Sequence, residues 1–472
     1  MSAAAKSAGS PWHRRLWVVL GVVALVAPGL ADLYFAARLP PAFSVDVQTA
    51  AAMGLFASWL FGSLFVLAVT SHRGDDQPDT PGWLLHRLIV TVTAAAALAA
   101  VGWYSVSYGL DLLFADSGLV DDAADYAGIR IAFLPVFAAG LVFVRWLDCR
   151  SAPMWLFGAA LMLNAGNLAL NSLVVGGFAA ELSLGAVGWS TSLSTLMAVL
   201  VLAVAAAIRN DATARQWLGQ FKFRRLARSF AGLAGPKLVW LLAVAALPVL
   251  LWAGYLVDLA TVEEALQQAR DRRAVDVFDM LIGTTAAPEM ALTTDWALQL
   301  ADSRPPLFAH SAGIALASFS LLGALIYGYT ESCRIDADDL LGRWYAATAY
   351  LFVPLTAVAV ALIVFAHPVA DVLTVHPDAA AATAPAIRLL GSQLPFVGLL
   401  ITTATAHFVA QRPLKASAVI ASTTLVVTAL AVVLAKTTGF MGLWWGMAAG
   451  LTGSACFWTI TFWRSHNPPA DD

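Results

Sequence analysis

Apolar residues run in stretches of about twenty positions or more, separated by short segments rich in charge, proline or glycine. A bilayer core of roughly 30 Å is crossed by about 20 residues of helix, so each run reads as a membrane span. Twelve emerge, at about 16–37, 50–71, 84–113, 127–147, 154–178, 184–208, 237–258, 308–329, 343–366, 384–411, 413–435 and 439–463. The first follows His13-Arg14-Arg15, as the apolar part of a signal peptide would. Ala36-Ala37-Arg38-Leu39-Pro40 makes an indifferent cleavage site, however, and a retained helix is expected. The pattern predicts an all-α polytopic membrane protein with twelve transmembrane helices.

Composition agrees. Of 472 residues, 60% are hydrophobic and 12% charged, against roughly 25% charged in a soluble domain. A water-soluble enzyme and a disordered chain are both excluded, and three cysteines (Cys149, Cys333, Cys456) cannot staple a chain this long. A net charge of −3 gives no basic excess for nucleic acid. Most of the Lys and Arg residues fall in alternate connections, among them Arg14, Arg73, Arg150, Arg225, Arg334 and Arg412. Positively charged connections stay in the cytoplasm, which places both termini there. The basic connection 209–236 mixes its cations with Trp217, Phe221, Leu226 and Phe230, as a helix lying in the inner interface would.

Landmarks recur along the chain. Pro28 and Pro248 are offset by 220 positions, Pro135 and Pro395 by 260, and Trp189 and Trp445 by 256. One insertion in the second half accounts for the jump, and 259–307, on the outer side, is its place. The expected organisation is therefore a first lobe at 1–208, a linker at 209–236, and a second lobe at 237–472 carrying the insertion. With six spans each, both copies enter the membrane from the same side, giving pseudo-two-fold symmetry along the membrane normal and a cleft between lobes.

An ionisable group inside a span costs roughly 2.5–3.5 kcal/mol on insertion scales, which makes Asp32 the leading functional candidate. At about 1.5 Å per residue it lies about 24 Å above the cytoplasmic surface, and Asn167 and Asn171 of span 5 lie about 21 and 27 Å up. A spacing of four puts both amides on one helical face. A carboxylate with amide oxygens suits Na⁺, whereas a desolvated carboxylate suits H⁺; alternatively, the asparagines only bond across packed helices. Thr191, with Ser190, Ser194 and Thr195, offers further oxygens in span 6, unless these hydroxyls bond their own helix. Pro28, one turn before Asp32, permits a hinge or a static kink. Asp111 and His407 sit near span ends and are expected to snorkel, and Arg130 and Arg388 are expected at the outer openings of spans 4 and 10. The second half holds Trp252 where the first has Asp32. There Trp240, Trp252, Tyr255, Tyr327 and Phe396 form either an aromatic wall for flat cations or ordinary lipid-facing aromatics.

Four segments resemble the multidrug and toxic compound extrusion (MATE) family, within the multidrug, oligosaccharidyl-lipid and polysaccharide exporter (MOP) superfamily. They are Asp32-Leu-Tyr-Phe-Ala-Ala-Arg-Leu-Pro40, Tyr126-Ala-Gly-Ile-Arg-Ile with Pro135, Asn167-Leu-Ala-Leu-Asn171-Ser-Leu, and Leu184-Gly185-Ala-Val-Gly188-Trp. The resemblance implies a V-shaped twelve-helix transporter exporting organic cations by alternating access against Na⁺ or H⁺, in a bacterial cytoplasmic (inner) membrane. It maps the family's span-1 aspartate onto Asp32, its span-5 polar pair onto Asn167 and Asn171, and its span-4 tyrosine onto Tyr126. The chain departs from the family in lacking a second-lobe carboxylate and in its outer insertion.

The expected function is thus a cation-coupled antiporter for organic cations or amphipathic metabolites, working as a monomer without a cofactor. A flippase for a lipid-linked sugar or secreted natural product is the alternative, with Arg130 and Arg388 to meet an anionic cargo. A membrane-embedded transferase is the other, but the eight histidines lack metal-type spacing and no Gly-x4-Gly-Lys-Ser/Thr loop is present.

Overall fold

The computed structural model describes residues 27–39, 45–70, 81–113, 117–149, 154–175, 184–209, 339–374, 377–410, 412–438 and 440–467, with a few residues between 17 and 25. All regular structure among them is helical. In the first half the helices are α1 (Pro28–Ala36), α2 (Val45–Thr70), α3 (Pro81–Leu113), α4 (Ser117–Ala132), α5 (Leu134–Cys149), α6 (Met154–Leu173) and α7 (Leu184–Ile208). In the second they are α8 (Leu340–Val364), α9 (Ala366–Leu373), α10 (Pro377–Val409), α11 (Pro413–Thr438) and α12 (Phe440–His466). Among the described residues, five helices are long and apolar enough to cross a membrane, or six if the bent α4–α5 pair is one span. Every span expected outside 210–338 meets a described helix. The linker, spans 7 and 8 and the outer insertion lie outside the described residues.

Two prolines break helices where the first half needs it. A proline lacks an N–H and crowds the turn before it. Pro28 accordingly opens α1 at its first position, after a turn at Ala27. Pro135 follows a 42° bend between α4 and α5 at Phe133, whose carbonyl accepts from Val136 and Phe137 N–H at 3.0 and 3.1 Å.

The helices pair in the same way in both halves. α3 packs on α4 and α5, these on α7, and α6 on α7; likewise α8 packs on α10, α10 on α12, and α11 on α12. In spans this is 3 with 4, 4 with 6 and 5 with 6, then 9 with 10, 10 with 12 and 11 with 12. Small and aromatic residues fill the interior, with Trp146, Trp444, Tyr126 and Phe56 fully buried. Large apolar side chains also face outward, including Trp103, Tyr104 and Tyr108 on α3 and Leu161 and Leu168 on α6. In water such a surface would aggregate; in lipid it is the surface a span requires.

α1 lies at the centre of the first half, touching α2, α6 and α7, and it also meets α9 of the second half. A buried hydrogen bond joins the halves nearby, from the Thr374 hydroxyl at the end of α9 to Gln48 Oε1 on α2, at 2.8 Å.

Candidate functional site

The Asp32 side chain projects from α1 into the first half and is fully buried. Five donors converge on its carboxylate. Oδ1 accepts from Asn167 Nδ2 at 3.0 Å, Asn171 Nδ2 at 3.2 Å and the Thr191 hydroxyl at 2.6 Å. Oδ2 accepts from the Tyr126 hydroxyl at 2.5 Å and Arg130 Nη1 at 2.8 Å. A second tier orders the donors: Asn167 Nδ2 also donates to Thr191 Oγ1, and Asn171 Nδ2 to Asn167 Oδ1 at 3.3 Å. Four neutral donors and one guanidinium leave the carboxylate solvated by protein in place of water, which is what a buried anion requires.

Local sequence explains how each donor arrives. Asn167 and Asn171 are four apart on α6, as are Tyr126 and Arg130 on α4, so each pair forms one column on its helix. The Tyr126 ring lies between two glycines. A Cβ on Gly54 of α2 would come within 2.6 Å of Ala123 O and 2.8 Å of the ring, and one on Gly188 of α7 within 3.3 Å of the ring. Only the missing side chains let α2 and α7 close on that tyrosine. The bend before Pro135 lets α4 lean over the site while α5 continues along α3 and α7.

The break in span 1 is supported too. Without an N–H, Pro28 offers nothing to the Ala24 carbonyl four residues earlier. Asn164 Nδ2 fills that place at 2.6 Å, while also reaching its own helix at Ala160 O at 2.7 Å. Asn164 thus holds α6 against the kink. It escaped the sequence reading although it lies on the same face as Asn167 and Asn171, because its partner is a backbone atom with no sequence signature.

Of the expected site residues, the fold brings together Asp32, Asn167, Asn171, Tyr126 and Thr191, with Pro28 one turn before Asp32. Ser190, Ser194 and Thr195 instead bond carbonyls of their own helix. Arg130, one turn along from Tyr126, turns onto Asp32, and this is the ion pair found among the described residues. One expectation is corrected. His407 does not snorkel to the interface but is buried edge-on against Phe462, at 5.0 Å between ring centroids. Phe396 is partly buried and packs against the hydrophobic core. Trp240, Trp252, Tyr255 and Tyr327 lie outside the described residues, as does the Asp111 side chain.

Beside the cluster lies a cavity bordered by Pro28, Trp59, Arg130, Phe133, Thr191 and Ser192 among others.

No protein-family model matches this chain, and no curated protein does. Solved structures do. A MOP superfamily transporter from Pyrococcus furiosus, described by a binding pocket of reversed polarity, superposes with a TM-score of 0.59 at 15% identity over 96% of each chain. The chain has the MATE fold. The inward-facing conformation of a multidrug resistance MATE transporter aligns at TM-score 0.57 and 15% identity, over 97% of this chain and 99% of that one. The eukaryotic MATE transporter AtDTX14 gives 0.61 at 14% identity, over 97% and 96%. At such identity the likeness is one of fold.

Proposed function

We propose that this protein is a proton-coupled secondary transporter that moves an amphipathic small molecule across the cytoplasmic membrane by alternating access. The observation that carries the reading is Asp32, a carboxylate buried in a span beside a proline break, in a fold shared with MATE transporters. An intramembrane carboxylate is costly, and coupling to an ion gradient is what such groups commonly serve. Both termini are expected in the cytoplasm.

The donor set disfavours Na⁺, which leaves H⁺ as the coupling ion. Every partner turns an N–H or O–H toward the carboxylate, and Arg130 already supplies the compensating positive charge. Sodium needs oxygen ligands facing it, so it would have to displace the guanidinium and reverse two amides. A proton needs only one carboxylate oxygen to give up a donor. Once Oδ2 is protonated, its attraction for Arg130 falls, α4 loosens from α1, and the break at Pro28 lets α1 bend. Cargo and proton move in opposite directions if they compete for the site, and together if each favours the other's binding.

The test is flux in proteoliposomes under an imposed H⁺ or Na⁺ gradient, with dansylcholine and dansylglycine as cationic and anionic probes. The H⁺ gradient is expected to drive one of them, and Asp32→Asn to abolish that flux in folded protein. Flux unaffected by Asp32→Asn, driven only by Na⁺, or absent for both probes overturns the reading.

A further inference from the structure

We infer that the cavity beside Asp32 binds the anionic head group of an amphipathic molecule at Arg130, and that this anion and a proton on Asp32 bind together. The inference rests on the transport reading above and names its cargo class.

The polarity of the cavity carries it. Asp32 has 1% of its side chain exposed, and Arg130, with 15%, stands between the carboxylate and the open space. A ligand entering the cavity therefore meets a guanidinium. Arg130 commits one nitrogen, Nη1, to Asp32 and to the Tyr126 hydroxyl, the latter at a long 3.4 Å. A guanidinium has five N–H groups in a planar fork, and carboxylates and phosphates take it two at a time. No carboxylate is among the cavity's bordering residues within the described part of the chain. Ser192 of α7 also borders the cavity, and its Oγ is buried without a hydrogen-bond partner among the described residues, one further donor for an anionic oxygen. Around these polar groups stand Trp59, Phe133 and Phe137, which suit an apolar body attached to the head group. An organic cation would find no free counter-charge here and would face repulsion from Arg130.

The linkage with protons follows from counting charges. With the cavity empty, Arg130 neutralises Asp32. When an anion draws Arg130 away, a buried carboxylate is left without its counter-charge, and uptake of one proton on Oδ2 restores neutrality. Anion plus proton then occupy the site with the same net charge as the empty pair. By reciprocity, protonation of Asp32 frees Arg130 and strengthens anion binding by the same factor. Of the charged or titratable groups on the packed elements, Tyr126 and Arg130 face Asp32. The described side chains of α2, α6 and α7 bring amides, hydroxyls and apolar groups. Asp121, Asp122 and Asp125 on α4 and His367 and Asp371 on α9 are exposed.

The experiment measures binding of dansylglycine and dansylcholine to the full chain in lipid nanodiscs at pH 6 and 8, with proton uptake read from a buffer dye. Wild type is expected to bind dansylglycine at least about fivefold tighter at pH 6, taking up as much as one proton per anion. Asp32→Asn, which frees Arg130 without titration, should keep anion binding and lose its pH dependence. Arg130→Gln should weaken it at least about tenfold, as loss of a charged hydrogen bond would. The Asp32→Asn/Arg130→Gln double variant, which buries no lone charge, should be equally weak if Arg130→Gln acts on binding and not on folding. Tighter binding of dansylcholine, equal anion binding with and without Arg130, or no anion binding by wild type and Asp32→Asn overturns the inference. If Asp32-dependent, proton-driven flux carries dansylcholine, the cargo inference falls alone; if Asp32→Asn leaves flux intact, the transport reading falls instead.

Discussion

Replacing Asn164 by Leu removes the donor that Pro28 cannot supply to the Ala24 carbonyl. That carbonyl is partly buried between spans 1 and 5 and receives Asn164 Nδ2 at 2.6 Å. A buried polar group stripped of its partner costs about 1–3 kcal/mol, whereas interhelical hydrogen bonds inside membranes average about 0.6 kcal/mol and reach about 1.7. We therefore expect Asn164→Leu to destabilise the protein by about 1–2 kcal/mol. The structure also predicts how the loss is cured. Pro28→Ala restores an N–H at position 28, aimed at the same carbonyl in a continuous helix. In that background Asn164→Leu should cost about 1 kcal/mol less, a coupling well above the about 0.3–0.5 kcal/mol within which independent sites add. Reversible unfolding in mixed micelles, followed by tryptophan fluorescence, measures all four corners of the cycle. Additive losses would show that Asn164 does not serve the proline break, and the account of the hinge would fail.

Gly54→Ala puts a Cβ within 2.6 Å of Ala123 O, so α2 and α4 must separate at an overpacking cost of about 1–3 kcal/mol. Tyr126 should move off Asp32 and coupled flux should drop, whereas alanine at Gly109, which has open space around it, should leave both stability and flux unchanged. Gln48→Leu breaks the buried bond to Thr374 between the halves. Losing about 0.5–1.5 kcal/mol should shift the conformational equilibrium a few-fold toward separation on that face. Spin-label distances between α2 and α9 would lengthen, and an unchanged distribution would refute a closing role.

Much of the site was legible in the sequence because its ingredients obey local rules. The membrane class and the helices follow from long apolar runs, and Asp32 stands out because a lone carboxylate in such a run is costly. Asn167 and Asn171 share a face by their spacing, and their depth matches that of Asp32. Tyr126 could be placed by resemblance, and Thr191 was one hydroxyl among four, of which the structure turns only that one to the carboxylate.

What the sequence determined is the set of costs: a carboxylate in an apolar span, a proline without an N–H at 28, another at 135. Tertiary structure decided how each is met. Arg130 reaches Asp32 across 98 positions, Asn164 reaches Ala24 across 140, and Thr374 reaches Gln48 across 326. An apolar pattern fixes which face of a helix turns inward but not which neighbour stands opposite. Arg130, near a predicted span end, looked free to seek water. The bend at Phe133 and the glycines flanking Tyr126 bring α4 close enough for the guanidinium to prefer a buried carboxylate, because each charge inside a membrane is stabilised most by the other.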